Sequence, residues 1–172
     1  FTIFVPLSVP GDELEILIVK VNASHAYGKI TEIIKPSKNR VIPQCNAYSK
    51  CGGCTFMQSE YTLQLESKKK FVEDAMKRIG GFKNFAVSEI IGMQNPYKYR
   101  NKMVFPFASD KNNEIQYGFF RARSHDLIPL SSCLLGDDIN MPVLKTVKEH
   151  MKKYNIHPYC EANHSGTVRR VF

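Results

Sequence analysis

Long apolar runs are absent from this sequence of 172 residues. The longest candidate, Leu14 to Val21, is interrupted by Glu15 and Lys20, whereas a membrane helix needs roughly 20 consecutive apolar residues. Residues 1–10 lack the basic start and the small-residue cleavage site of a signal peptide. The sequence therefore predicts a protein with no membrane partner, and we interpret Phe1 as a cut or processed boundary.

Acidic residues are scarce, 16 against 24 basic ones, which gives a formal net charge of +8 and a pI of about 9.3. This excess of cations favours a polyanionic partner, because Lys and Arg release counterions from a phosphate backbone. Charge alone is also compatible with a basic soluble protein that has no polyanionic partner. Hydrophobic residues make up 43% of the chain, which argues for a packed core and against wholesale disorder.

The cysteine count of five is odd, so the sequence does not resemble a secreted disulfide framework. Cys45, Cys51 and Cys54 lie within ten residues of one another. In a reducing compartment, such crowding indicates metal ligation. We therefore expect a cytoplasmic protein with a metal centre.

Residues 45–54 form the pattern C-x5-C-G-G-C, and Cys133 follows after 78 further residues. The Gly52-Gly53 pair allows backbone conformations that are closed to other residues. Four thiolates complete either a [4Fe–4S] cluster or a tetrahedral zinc site. Spacing alone leaves the fourth ligand open, because Cys133 precedes two leucines and fits a buried core position. Cys160 competes for the same role but is interpreted as a lone structural cysteine.

Alternating and helical patterns predict an α+β fold. Short strands are predicted at 15–21, 26–30, 33–34 and 40–43, an arrangement typical of a small OB-like barrel. A helix is predicted from Ser59 to the Gly80-Gly81 stop, with an apolar face. The members of that face are Leu63, Leu65, Val72, Ala75, Met76 and Ile79.

The sequence pattern of the second half of the chain predicts a mixed α/β domain. Strands are predicted at 87–93, 102–108, 115–121, 127–130 and 167–172. Asn112-Asn113 indicates a hairpin. A second helix is predicted from Met141 to Tyr154, with Leu144, Val147 and Met151 on one side.

One stretch of the chain resembles a family signature. Residues 45–68 match C-x5-CGGC-x3-Q-x2-Y-x2-QL-x2-K, and Tyr99-Arg100-Asn101-Lys102 gives a second motif. Together these motifs resemble the iron–sulfur RNA (uracil-5-)-methyltransferases over about residues 11–172. One departure is Ser59, where the family often has His.

The resemblance implies an OB-like TRAM domain at 1–43, a cluster loop plus helix at 44–85, and a central RNA-binding α/β domain at 86–172. It also implies a [4Fe–4S] cluster, with ribosomal RNA favoured over tRNA as the partner of a monomeric protein. The implied cluster ligands are Cys45, Cys51, Cys54 and Cys133.

Aromatic and basic residues alternate at the places expected to contact RNA. Stacking combined with phosphate contacts is how proteins hold splayed single strands. The predicted contacts are Tyr99, Arg100, Lys102, Phe119, Arg121, Arg123 and Lys29. The alternative is that the aromatic residues face the core and the cations are merely solvated.

No Gly-rich turn suited to S-adenosylmethionine follows a strand. The family's nucleophile and base would lie beyond residue 172, in a domain that also binds S-adenosylmethionine. We therefore expect no catalytic residue here and no methyl transfer by this chain alone. Two other hypotheses for the function remain. One is a non-catalytic RNA-binding module with a structural metal, and the other is a TRAM-containing tRNA-modifying methylthiotransferase, whose C-x3-C-x2-C spacing differs.

Overall fold

The computed structural model describes all residues, 1–172, and has the mixed α+β composition that the sequence predicts. The elements, in chain order, are β1 Thr2–Phe4, β2 Glu13–Val21, β3 His25–Lys35, α1 Tyr61–Arg78, β4 Phe105–Ser109, β5 Ile115–Phe120, β6 Leu127–Pro129, α2 Asn140–Lys153 and β7 Arg170–Val171. Neither helix is long and apolar enough to cross a membrane.

The chain divides into two compact units, and the cysteine loop and the helix that follows it belong to different units. The first unit consists of 1–44 and 55–96, and the second of 45–54 and 97–172. The predicted segment 44–85 is therefore split, because its cysteine loop belongs to the second unit and α1 belongs to the first.

In the first unit, three strands form a sheet in the order β1-β3-β2. β1 runs parallel to β3, and β2 pairs antiparallel with β3 through register shifts that bend the pair. The sheet is open and does not close into the predicted OB-like barrel. Residues 26–30 and 33–34 form one continuous strand, and the predicted strand at 40–43 is reduced to a single bridge between Arg40 and Ser59.

A buried ion pair ties the start of β2 to the segment after β3. The Asp12 carboxylate is 1% exposed and accepts a hydrogen bond from Arg40 Nε at 2.9 Å. It also accepts the N–H groups of Val9 and Ser37, at 2.6 and 2.9 Å. Arg40 donates a further bond to the carbonyl of Leu7 at 2.9 Å. Each group of this network therefore has a partner, as buried charges require.

Helix α1 is confirmed, but only part of its predicted apolar face is covered. Leu63 and Leu65 are half-buried, whereas Val72 is 51% and Ile79 is 88% exposed. The helix ends near Gly81, whose φ of +71° is the left-handed conformation that glycine adopts readily.

The strand predicted at 87–93 is wrong. The N–H of Val87 donates to the Glu73 carboxylate at 3.1 Å, and the N–H of Met93 donates to the Tyr61 hydroxyl at 2.9 Å. Side chains of α1 therefore satisfy backbone groups that a neighbouring strand would otherwise satisfy.

In the second unit, four strands form an antiparallel sheet in the order β6-β5-β4-β7. Helix α2 packs on it and buries Leu144 and Met151, each 1% exposed, against Phe105. The predicted apolar side of α2 is thereby confirmed, with Val147 packed partly against the same core. The predicted hairpin is also present, and Asn113 adopts a left-handed φ of +61° within it.

Candidate metal centre and nucleic-acid interface

The cysteine loop, residues 45–54, is held by its own turns. The N–H of Tyr48 donates to the carbonyl of Cys45 at 3.0 Å, and the N–H of Cys51 donates to that of Ala47 at 2.9 Å. The N–H of Gly53 points back to Cys51 Sγ at 3.3 Å. Such a loop offers a main-chain N–H to a thiolate, which stabilises negative charge on sulfur.

Gly52 fixes the cysteine loop to the end of β5. Its N–H donates to the carbonyl of Phe120 at 3.0 Å, and Cys51 forms a bridge with Arg121. A Cβ at position 52 would lie 2.9 Å from the backbone nitrogen of Ala122. Glycine is therefore required here because two backbones approach closely.

Burial raises the pKa of the Cys54 thiol to about 11, and the charges of Cys133, Cys51 and Cys45 add to the rise. Burial likewise raises the pKa of Cys51, and Cys133 and Cys45 contribute. The Arg100 guanidinium opposes the rise at both sites. The thiolate forms of Cys51 and Cys54 are therefore unfavourable in this environment without a compensating cation.

Cys133 and Cys160 have different surroundings. Cys133 is half-buried and packs partly against the core, while it also influences the pKa of both Cys51 and Cys54. Cys160 is exposed, and its N–H donates to the carbonyl of Ser165 at 2.8 Å. It is not among the groups that shift the pKa of Cys51 or Cys54.

The side chains are not arranged as a preformed metal site, since no group of three or more Cys, His, Asp or Glu residues has that geometry. The donor set nevertheless fits a thiolate-bound metal or cluster. Thiolates are soft ligands of the kind that zinc and iron–sulfur clusters take, and metal coordination would deprotonate Cys51 and Cys54, whose pKa values are raised in its absence. Cys45, Cys51, Cys54 and Cys133 are the residues that would hold such a group.

The first predicted RNA motif lies at the surface but outside any strand. Tyr99 is 48% exposed, and Arg100 and Lys102 are exposed. Arg100 makes only an isolated bridge with Gly136, and its N–H donates to the carbonyl of Leu135 at 2.9 Å. The Arg100 guanidinium also opposes the burial-driven rise in the pKa of Cys51 and Cys54, an interaction that the sequence did not indicate.

The second predicted RNA strip is divided between core and surface. Phe119 stacks on Phe105 with ring centroids 4.9 Å apart, so it packs with the core and Phe120 takes the other face. Arg121 and Arg123 are exposed in the turn between β5 and β6. Lys29 is exposed on β3, in the first unit.

A cleft in the second unit gathers further residues that the motifs did not indicate. Its lining includes Phe120, His125, Tyr159, Glu161, Arg169 and Arg170. These residues come from distant parts of the chain, so no local spacing identifies them. The basic and aromatic pairing at 169–170 and 159 was the available signal.

Comparison with known proteins first identifies the class of protein to which this chain is similar. No family model matches the sequence. Proteins named as RNA methyltransferases from Clostridium tetani, Clostridium acetobutylicum and Staphylococcus epidermidis are 43%, 40% and 37% identical, each over 99% of this chain. The chain spans only 37–38% of the length of these relatives.

One solved structure is a particular protein with a similar fold. The fold is similar to that of the Pyrococcus abyssi tRNA (uracil-54, C5)-methyltransferase in complex with S-adenosyl-L-homocysteine, with a TM-score of 0.67 and 25% identity. The similarity covers 98% of this chain and 37% of that one. Relatives of this chain are therefore named RNA methyltransferases, and its structural neighbour is a uracil-C5 methyltransferase.

Proposed function

We propose that this chain is the RNA-binding and [4Fe–4S]-binding part of an S-adenosylmethionine-dependent RNA (uracil-5-)-methyltransferase. The observation that carries the proposal is that the loop 45–54 packs in one compact unit with residues 97–172, which include Cys133, although 78 residues separate Cys54 from Cys133. The names of the relatives and of the structural neighbour support an RNA substrate.

The four cysteines would provide a complete ligand set. A cluster with four thiolate ligands has no open iron, so it would serve structure or redox tuning and not substrate activation. Gly53 would stabilise sulfur charge through its N–H, and Arg100 would do so through its guanidinium. Binding would also stabilise the loop, because metal ligation contributes folding free energy.

The first unit would act as the TRAM-like part of the protein. Its bent three-stranded sheet is compatible with a portion of an OB-like fold, and Lys29 on β3 would contact phosphate. We retain ribosomal RNA as the first candidate substrate, and tRNA, the substrate named for the structural neighbour, is the alternative.

Methyl transfer would take place outside these 172 residues. The chain spans little more than a third of its relatives, and none of its residues is proposed as nucleophile, base or S-adenosylmethionine ligand. The purified chain should therefore bind RNA without methylating uracil. Methylated uridine formed by this chain alone would overturn this part of the proposal.

RNA binding is the direct test of the proposed function. Ribosomal RNA fragments and tRNA, each labelled, should bind the anaerobically purified chain with an affinity that falls as salt rises. Arg121→Gln combined with Arg123→Gln should weaken binding, whereas Lys145→Gln, on the exposed side of α2, should not. Equal affinity for RNA and for an uncharged polymer would contradict the proposal.

A further inference from the structure

The cleft of the second unit encloses about 300 Å³ and lies beside β4 and β7. Its other walls are the turn after β5 and the segment around Tyr159. This size is at the lower end for small-molecule sites and suits one nucleotide.

Flat aromatic groups form two parts of the wall. The rings of Phe120 and His125 are stacked, with centroids 5.1 Å apart and an interplanar angle of 17°. The guanidinium of Arg169 lies over the Tyr159 ring at 5.3 Å. Both arrangements present planar surfaces of the kind on which nucleic-acid bases stack.

Nitrogen donors lie next to those surfaces, and a single carboxylate orients two of them. Glu161 accepts from His125 Nδ1 at 2.6 Å and from Arg169 Nη2 at 3.2 Å. Arg170 lines the cleft, is exposed and forms no ion pair. Its charge is therefore available for a phosphate group.

The turn between β5 and β6 links the cleft to the predicted RNA contacts. Arg121 and Arg123 precede His125 between β5 and β6, and all three side chains are exposed. A strand that contacts the two arginines would thus continue toward the cleft with its next nucleotide. This continuity favours a nucleotide within a polynucleotide over a free one.

We propose that this cleft holds one unpaired nucleotide of the RNA, its base against the aromatic wall and its phosphate on Arg170. The proposal rests on the proposed function, because it requires that the chain binds RNA. It adds a subsite, formed by Phe120, His125, Tyr159 and Arg170, at which an RNA nucleotide would leave its own stack.

The test measures binding of a single-stranded RNA of about 12 nucleotides, a length within the range of known single-strand sites. Tyr159→Ala should weaken binding about tenfold through lost stacking. Arg170→Gln should weaken it and lower the slope of log K against log salt by about 0.7, the value for one phosphate contact on a single strand. Lys145→Gln removes the same charge from α2 and should change neither quantity.

Separate outcomes identify what fails. If the wild-type chain binds RNA and Arg170→Gln binds equally well with an unchanged salt slope, the cleft proposal is overturned while the proposed function stands. If the wild-type chain binds no RNA, both fail. If uridine monophosphate binds the cleft and does not compete with the RNA strand, a free nucleotide replaces the strand as its ligand and the proposal is overturned. Crosslinking from 4-thiouridine RNA should map to residues 120–125 or 158–170.

Discussion

Asp12 and the Cys54 thiol are both enclosed acidic groups, and their pKa values move in opposite directions. The Arg40 guanidinium, followed by backbone N–H groups, lowers the pKa of Asp12 to about 2, although burial opposes it. Burial, followed by neighbouring thiols, raises the pKa of Cys54 to about 11. The first site has all its partners within the fold, whereas the second penalises its own charged form until a cation is added. Such an uncompensated cluster is more typical of a functional site than of a structural one.

The largest expected effect is at the cysteines. Cys133→Ser would leave three thiolate ligands, so bound iron and the visible absorption of the anaerobically purified protein should be mostly lost. Cys160→Ser is the matched control, because Cys160 is exposed and does not influence the other thiols. Equal iron content in the two variants would show that Cys133 is not a ligand.

The next effect is at the ion pair of the first unit. Asp12→Asn should destabilise β2 and β3 by about 3 kcal/mol, because it leaves the mostly buried Arg40 charge without its carboxylate. Native-state hydrogen exchange of the β2 and β3 amides measures this change within the unit. Glu13→Gln, at the exposed neighbouring position, should change exchange little. Similar exchange in both variants would contradict the assigned role of Asp12.

Acid should weaken the same pair without a mutation. The pKa of Asp12 falls from 3.8 to about 2 on folding, so the stabilisation is fully present above the unfolded value. It should be lost as the pH falls through about 2, and it amounts to about 2 kcal/mol. Hydrogen exchange corrected for its intrinsic pH dependence should show this loss in the wild type and not in Asp12→Asn.

A smaller effect distinguishes the two glycines of the cysteine loop. Gly52→Ala would place a Cβ 2.9 Å from the Ala122 nitrogen, and this overpacking should cost within the range of about 1–3 kcal/mol, toward its lower end because the loop can shift. Gly53→Ala would meet only Cys51 Sγ at 3.4 Å, an ordinary contact. Iron retention during dilution should therefore fall for Gly52→Ala alone. Equal retention would show that the contact with β5 does not support the loop.

The smallest effect concerns two buried serines of the first unit. Ser59 Oγ has no hydrogen-bond partner, whereas Ser37 Oγ donates to the carbonyl of Pro10 at 2.8 Å. Ser59→Ala should be neutral or stabilising by up to about 1 kcal/mol, and Ser37→Ala should cost about 1 kcal/mol. Urea denaturation of the two variants provides the comparison, and the reverse order of stability would contradict it.

Local sequence patterns predicted the helices and strands of this fold better than they predicted whether a sheet closes into a barrel. The periodicity of α2 identified Leu144 and Met151, and the apolar run of β2 was found within two residues of its bounds. The open sheet of the first unit was missed because closure depends on pairing between distant segments. Alternation along β5 placed Phe119 and Phe120 on opposite faces but could not tell which face meets the core.

In the candidate site too, local patterns predicted some features, whereas others depend on tertiary contacts. The compact C-x5-C-G-G-C pattern identified the loop directly, while the part played by Arg100 beside the thiols depends on tertiary structure. The cleft was missed because Tyr159 and Arg169 reach Phe120 only through the paired strands β4, β5 and β7. Residues that meet through such long-range contacts leave no local spacing in a sequence.

Iron and acid-labile sulfide, measured per chain after anaerobic purification, test the central claim most directly. We predict about four of each per chain, with the visible absorption of a cluster bound by thiolates. One zinc per chain without sulfide, or no metal after reconstitution with iron and sulfide, would contradict the account.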